Sequence, residues 1–466
     1  MKKLIFISLL LTASISGQLK VPENQADYLI IMDDKFAEPL SKLIDFRTSQ
    51  GLNLKLVDID DVYSEFKDTL SNQETVREFV SYALENWQEP KPKYLLLAGD
   101  TEIIPSYIVK SSFADTDYDE DSVAIDEFFG INKYQEDEIL DIAVGRFPVK
   151  TPGEMQNIVD KTIRVEDTLA QSNYPLDVLL LADGADLDGS IFLAQSQNLR
   201  EDLFQNYDSE LIYFNDPLNT RIKKDTLFQL LNSGSFFLNY FGHGRSDIWS
   251  RSNILSIDDI SRFTGELPAT FLSSACKQNF NITADSVIVE KLLKMEQGGI
   301  VSAVVSSGLN YAGNGYNFVS SFYDKIFSNP ELTMGEIFLK VKEAKTNDID
   351  KRMTLLGDPA LKLPLDLILG TDEPASDIPE SLALEQNYPN PFNPNTRIKF
   401  IIPKSTKVEL KIYDLIGKEA ATLVNETIPA GEHEVIFNAN KLSSGVYFYQ
   451  LKAGEFIQTK KMLLLR

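Results

Sequence analysis

The sequence contains few of the side chains that most catalytic and metal sites use. Its 466 residues include one cysteine, Cys276, and two histidines, His243 and His433. A chain with one cysteine forms no internal disulfide and keeps a lone thiol. Basic residues are also scarce, since 45 of them against 69 acidic residues give a net charge of −24. Because phosphate contacts need a basic face, this balance argues against nucleic acid as a partner and favours solubility or attraction for cationic substrates or calcium.

Long hydrophobic runs are missing as well. The apolar run at residues 4–11 is too short to cross a bilayer as a helix, and no later stretch approaches the length and apolarity of a transmembrane segment. The run follows two lysines and precedes small residues at 13–17, which is the order of a signal peptide. We therefore expect residues 1–17 to be cleaved during export and the mature chain to start near Gln18.

Strand-like and helical segments alternate from residue 27 to residue 306. Amphipathic segments lie between several short apolar runs that are typical of buried strands, and this alternation predicts an α/β fold with a parallel sheet covered on both faces. We expect two adjacent parallel-sheet subdomains, residues 18–145 and 146–368. The predicted strands are residues 28–32, 52–57, 94–98, 178–182, 235–240, 270–274 and 300–306.

The composition changes near residue 369. Residues 371–381, TDEPASDIPES, are rich in proline and acid and have no periodicity, which is typical of a linker. We assign residues 369–383 to that linker. Short strand-like runs separated by turns follow in 384–466, so this part is predicted to be a separate all-β sandwich.

The two candidate catalytic side chains both follow a predicted buried strand. His243 lies in a Gly-His-Gly motif after the run 235–240, and Cys276 comes after the run 270–274. Ligand and catalytic groups in parallel α/β sheets collect at the carboxyl ends of strands. Two neighbouring strands would bring the thiol and the imidazole together, and an imidazole beside a thiol can accept its proton.

Each of these signals also has a plainer explanation. A lone cysteine is often a small buried hydrophobe, and a Gly-His-Gly motif after a strand is often a structural turn. His433 lies in the β-rich tail and is expected to be a solvated surface side chain. The joint pattern favours chemistry, because the sole cysteine and the only histidine outside the tail occupy the same kind of position.

Longer motifs surround these positions: GSFFLNYFGHG at 234–244 and SAC at 274–276, with LLLAGDTEIIP at 95–105, AVGRFP at 143–148 and LGDPA at 356–360. The first two resemble, in sequence and in separation, the histidine block and the nucleophile block of the gingipain family of cysteine peptidases. The remaining motifs extend the resemblance over about residues 27–362.

The resemblance implies a caspase-like α/β fold of two subdomains and a secreted endopeptidase with Cys276 as nucleophile and His243 as base. It implies an oxyanion hole formed by the backbone N–H groups of Gly244 and Cys276, and no cofactor for the chemistry. An acid orients the histidine in this family, and Asp183 is the matching residue, with an ordinary strand-end carboxylate as the alternative. Tyr311 is a candidate wall of the substrate pocket, with a surface tyrosine as the alternative.

The sequence departs from the gingipain pattern in three places. Lys277-Gln278-Asn279 follows the cysteine, whereas the gingipains have a glycine shortly after theirs. Residues 190–194 contain no acid to hold a basic substrate side chain, although Asp186 and Asp188 lie close in sequence. No long inhibitory pro-region precedes the first predicted strand, so we expect another means of control.

An acidic run lies between the third predicted strand and the AVGRFP motif. A solvated loop of like charges is the simpler interpretation. The alternative is a structural calcium site, since carboxylates at alternate positions can share a hard cation and the resemblance is to calcium-stabilised proteins. The spacing fits no EF-hand. The run consists of Asp115, Asp117, Asp119, Glu120, Asp121, Asp126 and Glu127.

The tail carries its own ordered set of motifs: NYPNPFNP at 387–394, VELKIYDLIG at 408–417, IPAG at 428–431 and SGVY at 444–447. Together they resemble the type A sorting domain of the type IX secretion system, over about residues 384–466. The resemblance implies export by that machinery to the outer-membrane surface or the medium, with removal of the tail. A generic adhesion sandwich would explain the strands but not the whole set of motifs.

Three functions are compatible with these observations. The leading one is hydrolysis of peptide bonds in proteins or peptides through an acyl-thioester on Cys276. A sortase-like transpeptidase of the cell surface would use an amine in place of the hydrolytic water. A non-catalytic surface binding protein would retain only the scaffold.

Overall fold

The computed structural model divides the chain into two compact units, Met1–Leu369 and Gly370–Arg466. The expected signal peptide and most of the expected linker lie outside the described residues, and both stay predictions. The structure describes residues 18–110, 122–135, 139–169, 177–184, 189–205, 207–216, 219–265, 269–278, 287–343, 350–363, 365, 383–384, 386–387, 390–402, 406–415, 417–428, 431–440, 442–453 and 456–464.

The first unit alternates strands and helices. Its strands are β1 (Tyr28–Met32), β2 (Leu54–Asp58), β3 (Tyr94–Ala98), β4 (Ile108–Lys110), β5 (Ser122–Ala124), β6 (Ala143–Phe147), β7 (Val178–Asp183), β8 (Ser209–Phe214), β9 (Phe237–Phe241), β10 (Ile248–Trp249), β11 (Leu255–Ser256), β12 (Ala269–Ser273), β13 (Ile300–Ser306) and β14 (Met353–Leu356). Its helices are α1 (Ala37–Ser49), α2 (Ile59–Phe66), α3 (Asn72–Asn86), α4 (Pro152–Leu169), α5 (Gly189–Leu203), α6 (Thr220–Gly234), α7 (Ile288–Lys294), α8 (Ala312–Ser328) and α9 (Met334–Glu343).

Ten of these strands form one sheet, in the order β2-β1-β3-β6-β14-β13-β12-β9-β7-β8. Neighbouring strands are parallel except β13 and β14, which are antiparallel. The α/β prediction is confirmed, but the two predicted groups of strands share a single sheet. The expected boundary between residues 145 and 146 falls inside β6 and stays a prediction. Because of the antiparallel pair, β7, β8, β9, β12 and β13 run opposite to the other five, so their carboxyl ends share one edge.

Helices cover both faces of this sheet, as the continuous apolar character of its strands requires. Alternate residues of a strand point to opposite faces. In β7, for example, Leu179 and Leu181 join the cluster under α1, α4, α6 and α7, whereas Leu180 joins the cluster under α5, α8 and α9. A third cluster packs α2 and α3 on β1 and β3. Burial on both faces therefore fixes the position of every central strand.

A buried network of charged side chains joins distant parts of the first unit. The Asp358 carboxylate, in the LGDPA motif, accepts hydrogen bonds from Arg47 Nη2 at 2.8 Å and from the Tyr28 hydroxyl at 2.6 Å. Arg47 also binds Glu166 of α4, with Nη2 to Oε1 at 2.6 Å. The Arg47 and Asp358 side chains are 1% and 0% exposed, so neither charge can be stabilised by water. The network connects α1, β1, α4 and the turn after β14.

The second unit contains only strands among its described residues. They are β15 (Ala383–Leu384), β16 (Asn395–Ile402), β17 (Thr406–Tyr413), β18 (Glu419–Ile428), β19 (Gly431–Asn438), β20 (Gly445–Ala453) and β21 (Phe456–Leu464). They form two antiparallel sheets, β15-β16-β19 and β18-β17-β20-β21, around one apolar core. The predicted all-β sandwich is confirmed. His433 differs from its prediction, because it is half-buried in β19 and stacks on Phe400 with ring centroids 5.5 Å apart.

Across the part of the chain that the structure describes, no helix combines the length and the apolarity needed to cross a membrane.

Replacing Asp358 by asparagine should lower the free energy of unfolding of the first unit by about 3–5 kcal/mol, because it leaves the buried Arg47 charge partly uncompensated. Denaturant unfolding followed by circular dichroism measures the change. The control is Asp160→Asn, which removes an exposed pair with Lys42 at 2.8 Å and should cost under about 1 kcal/mol. Equal effects of the two variants would contradict the account of the network.

Candidate active site

Four neighbouring strands, β13, β12, β9 and β7, end at one edge of the sheet. Strands β9 and β12 pair in parallel with a constant offset of 33 residues, Leu272 opposite Asn239 and Ser273 opposite Tyr240. The same offset relates Cys276 to His243, each three positions beyond the last paired residue of its strand. Adjacent strands lie about 4.8 Å apart. The sheet therefore directs the thiol loop and the imidazole loop to neighbouring positions, in accord with the sequence expectation.

The two loops are joined directly by Gln278. Its side-chain Nε2 donates to the Arg245 carbonyl of the histidine loop at 3.1 Å and to the Cys276 carbonyl at 3.1 Å. Gln278 is 1% exposed, so its amide is held inside the contact. A Cβ atom at Gly244 would lie 2.3 Å from that Nε2 and 3.1 Å from the Ala275 Cβ. Only glycine at 244 lets the loops approach this closely.

The main chain of His243 is fixed from several sides. Its carbonyl accepts hydrogen bonds from the Tyr240 hydroxyl at 2.6 Å and from the Ser250 N–H at 2.8 Å. Its own N–H donates to Asp183 Oδ2 at 3.3 Å. The imidazole packs edge-on against the Phe192 ring, with centroids 5.3 Å apart and planes at 90°. These contacts fix the main chain of His243, and the Phe192 ring limits the positions open to its imidazole.

Asp183 is the last residue of β7 and is 1% exposed. In addition to the His243 amide, its carboxylate accepts a hydrogen bond from the Ser250 hydroxyl at 2.7 Å. Ser250 has a positive φ of 62°, a conformation that a residue other than glycine seldom adopts. The carboxylate therefore binds the histidine loop at both of its ends, and it would orient the imidazole through the main chain.

The Cys276 thiol is half-buried beside the loop that follows β13. The Asn310 N–H donates to its sulfur at 3.3 Å, and the Asn310 carbonyl oxygen lies 3.5 Å from the same atom. The next residue, Lys277, has a φ of 53°, and its N–H donates to the Gly308 carbonyl at 2.9 Å. A left-handed residue costs about 1–2 kcal/mol. The chain thus makes a strained turn at the cysteine that brings the sulfur against the Asn310 amide.

The candidate substrate-binding residues all stay predictions. Tyr311 is 58% exposed and directly follows Asn310, at the start of α8. Its role as a pocket wall stays a prediction. Residues 190–194, which include no acid, form the first turns of α5 and contribute Phe192 to the imidazole contact. Asp186 and Asp188 lie outside the described residues.

Part of the acidic run is buried in the first unit. Asp126 accepts hydrogen bonds from Arg146 Nε at 2.5 Å and from the Ser106 hydroxyl at 2.7 Å, so its carboxylate has structural partners. Burial raises the pKa of the neighbouring Glu127. The five acidic residues at 115–121 lie outside the described residues, and no group of three or more metal-binding side chains occurs elsewhere in the described chain. The calcium alternative stays a prediction.

Four residues that shape this site were not predicted from the sequence: Gln278, Ser250, Asn310 and Phe192. The polar segment directly after Cys276 was a signal for Gln278. The Ser-Ser-Gly turn at 306–308, which follows the strand next to β12, was a signal for Asn310. Neither Ser250 nor Phe192 has such a signal, because their contacts depend on how the histidine loop folds back and on where α5 begins.

A thiol and an imidazole on adjacent loops at the carboxyl edge of an α/β sheet are the arrangement of a cysteine peptidase. Comparison with protein families shows which one: the chain belongs to peptidase family C25, whose model matches residues 21–364. A secretion system C-terminal sorting domain matches residues 386–465. The resemblances to gingipains and to the type IX sorting domain are therefore confirmed. The sorting domain indicates export by the type IX system to the cell surface or the medium.

Individual relatives agree with the family assignment. Lys-gingipain W83 of Porphyromonas gingivalis is 22% identical over 295 residues, which are 62% of this chain and 16% of that protein. The chain thus spans about a sixth of this relative's length. A structure described as a protease has a TM-score of 0.60 at 17% identity and covers 96% of this chain and 98% of its own. The Arg-specific cysteine proteinase gingipain R has a TM-score of 0.59 at 15% identity, covering 97% and 99%. At these identities the structural similarities show the fold.

One buried acid near the site makes the stability of the folded protein depend on pH. Helix α7 supports the histidine loop, since the Ile288 N–H donates to the Ser246 carbonyl at 2.8 Å. Burial within this helix raises the pKa of Glu290 to about 7, with the Asp100 charge adding to the effect and Lys294 opposing it. The folded protein therefore keeps a proton on Glu290 that the unfolded chain releases near pH 4.5, the ordinary value. The stability from this proton is complete below that pH and is lost as the pH rises through about 7.

Replacing Glu290 by glutamine should remove this pH dependence. Relative to the wild type, Glu290→Gln should gain about 3 kcal/mol of unfolding free energy on going from pH 4 to pH 8, because its side chain never carries the buried charge. Denaturant unfolding at the two pH values measures the difference. Glu296→Gln, an exposed acid just beyond the same helix, is the control and should show no such gain. A constant difference between wild type and Glu290→Gln at both pH values would contradict the assignment.

Proposed function

We propose that the protein is a secreted cysteine endopeptidase that hydrolyses peptide bonds through a dyad of Cys276 and His243. The observation that carries the proposal is the adjacency of the two loops. Strands β9 and β12 are direct neighbours with a constant register, and Gln278 bonds both loops at 3.1 Å. Membership of a peptidase family supports the same reaction class. Gingipain R, whose fold this chain shares, is an Arg-specific cysteine proteinase.

The reaction needs the sulfur as nucleophile and the imidazole as proton carrier. His243 takes the thiol proton, and the sulfur attacks the carbonyl carbon of the scissile peptide. A C–S bond forms while an electron pair moves onto the carbonyl oxygen. When the tetrahedral intermediate collapses, the C–N bond breaks and the imidazolium gives its proton to the leaving amine. A water molecule, deprotonated by His243, then attacks the acyl-thioester, releasing the acid product and the thiol.

The surrounding groups have distinct tasks in this proposal. The Asn310 N–H, 3.3 Å from the sulfur, stabilises the thiolate. The backbone N–H groups of Gly244 and Cys276 are proposed to bind the oxyanion of the intermediate. The Asp183 carboxylate holds the histidine loop by accepting a hydrogen bond from the main-chain N–H of His243. The exposed Tyr311 ring is proposed to contact the substrate beside the thiol.

The proposed substrates are proteins or peptides outside the cell, because the sorting domain directs the chain there. The type IX secretion machinery is its partner during export. The proposed chemistry uses side chains and water, and needs no cofactor. Calcium bound by the acidic run would have a structural role only.

A mechanism-based thiol probe tests the dyad with little ambiguity, since Cys276 is the sole cysteine. The wild type should be labelled and should cleave a peptide library, whereas Cys276→Ala should do neither. His243→Ala should slow labelling at neutral pH by at least about a hundredfold, because general-base catalysis contributes that much or more. His433→Ala, at the other histidine of the chain, is the matched control and should react like the wild type.

The alternative functions give different results in the same assay. Products that carry an added amine nucleophile in place of the new carboxylate would indicate a transpeptidase. Absence of both labelling and cleavage in the folded wild type would indicate a non-catalytic binding protein. Equal labelling of the two histidine variants would contradict His243 as the base.

A further inference from the structure

We propose that Arg352 is a positioning residue for the thiol: it orients and polarises the Leu309–Asn310 peptide, whose N–H donates to the sulfur of Cys276. The inference deepens the proposed function and rests on Cys276 being the nucleophile. Arg352 ends a short 3-10 helix, Asp350–Arg352, directly before β14. Because β14 pairs antiparallel with β13, with Met353 opposite Ser306, this arginine arrives at the edge where the thiol lies.

One peptide group connects the arginine to the sulfur. Arg352 Nη1 donates to the Leu309 carbonyl at 3.2 Å, and the N–H of the same peptide, that of Asn310, donates to Cys276 Sγ at 3.3 Å. In a trans peptide the C=O and N–H point in opposite directions. The guanidinium and the sulfur therefore lie at the two ends of one peptide dipole. A cation at the carbonyl strengthens the N–H as a donor, and this favours the thiolate over the thiol.

Arg352 also holds the rest of this loop. Its main-chain carbonyl accepts hydrogen bonds from the Ser307 N–H at 2.9 Å and from the Ser307 hydroxyl at 3.2 Å. A Cβ atom at Gly308 would lie 3.0 Å from Arg352 Nη1 and 2.8 Å from Val123 Cγ1, so the glycine allows the guanidinium to approach. The side chain thus reaches across residue 308 to the Leu309 carbonyl.

The burial of the Arg352 charge beside the thiol loop supports a role in the site. Arg352 is 2% exposed, and a buried guanidinium acts through a medium that screens its field weakly. Among the described residues, Arg352 is the cation that is connected to the sulfur through the hydrogen bonds of a single peptide group, that of Leu309 and Asn310. Other charged or titratable groups lie on the elements around the thiol: His243 and Arg245 on the loop after β9, Asp183 on β7, Lys277 beside the cysteine, and Tyr311 on the loop after β13.

The test is the pH dependence of Cys276 alkylation by iodoacetamide in the full chain, measured from acid to alkaline pH. Arg352→Met should move the midpoint upward by about one pH unit, with alkylation about tenfold slower on the acid side, because the thiolate loses its polarised donor. Arg352→Lys keeps the charge without the planar fork, so its midpoint should move upward by about half a unit. Arg251→Met removes an exposed arginine from the histidine loop and should leave the midpoint unchanged.

A purely structural role for Arg352 would lower stability without moving this midpoint. Wild-type midpoints in folded Arg352→Met and Arg352→Lys would overturn the inference. Should Arg352→Met fail to fold, Arg352→Lys decides alone, with an unchanged midpoint overturning it. Failure of this inference can be distinguished from failure of the proposed dyad. Labelling of His243→Ala tests the base whether or not the Arg352 variants shift the pH dependence of alkylation.

Discussion

The parallel register between β9 and β12 is the constraint on which the site depends. A shift of one residue would move alternate side chains to the opposite face of the sheet. The two strands are buried along their whole length, so such a shift would place large apolar side chains against the wrong cluster. Core packing therefore fixes the register of the two strands, and with it the residue at which each strand leaves the sheet and its loop begins. With an offset of 33 residues, the histidine and the cysteine leave the sheet side by side.

Because β13 and β14 are antiparallel, the strands on the two sides of this pair end at opposite edges of the sheet, and only one half places its carboxyl ends at the site. Strands β1, β2, β3 and β6 end at the edge opposite the thiol. They contribute apolar core, and β6 also supplies Arg146, which forms a buried ion pair with Asp126. Strand β14 enters at the catalytic edge because it runs against β13, so its first residues can reach the loop beside the sulfur. The same strand leads into the LGDPA turn, where Asp358 binds Arg47. One short strand thus links the structural network to the surroundings of the thiol.

Much of this architecture could be predicted from local sequence signals. The buried strands β1, β3, β7, β9, β12 and β13 are largely apolar runs, and the polar or glycine-rich residues after them identified His243 and Cys276. Strand β14 was represented in the sequence only by the LGDPA motif that begins at its last residue. A run of four residues is too short to identify a strand, and its antiparallel direction depends on its pairing with β13. Strands β8 (SELIYF) and β18 (EAATLVNETI) have no clear local signal, because charged and small polar residues interrupt their apolar pattern. The contacts of Gln278, Asn310 and Arg352 require three separate strand ends to be assembled, so no local pattern encodes them.

The small number of reactive residues in the chain allows a direct test of whether the thiol and the imidazole are neighbours. With histidine labelled by ¹⁵N, the NMR spectrum contains two imidazoles, those of His243 and His433, and alkylation can occur at one thiol, that of Cys276. The account predicts that alkylating Cys276 shifts the ring resonances of His243 and leaves those of His433 in place, with His243→Ala providing the assignment. If neither imidazole responds to alkylation in the folded protein, the thiol and the histidine are not neighbours, and the dyad account is wrong.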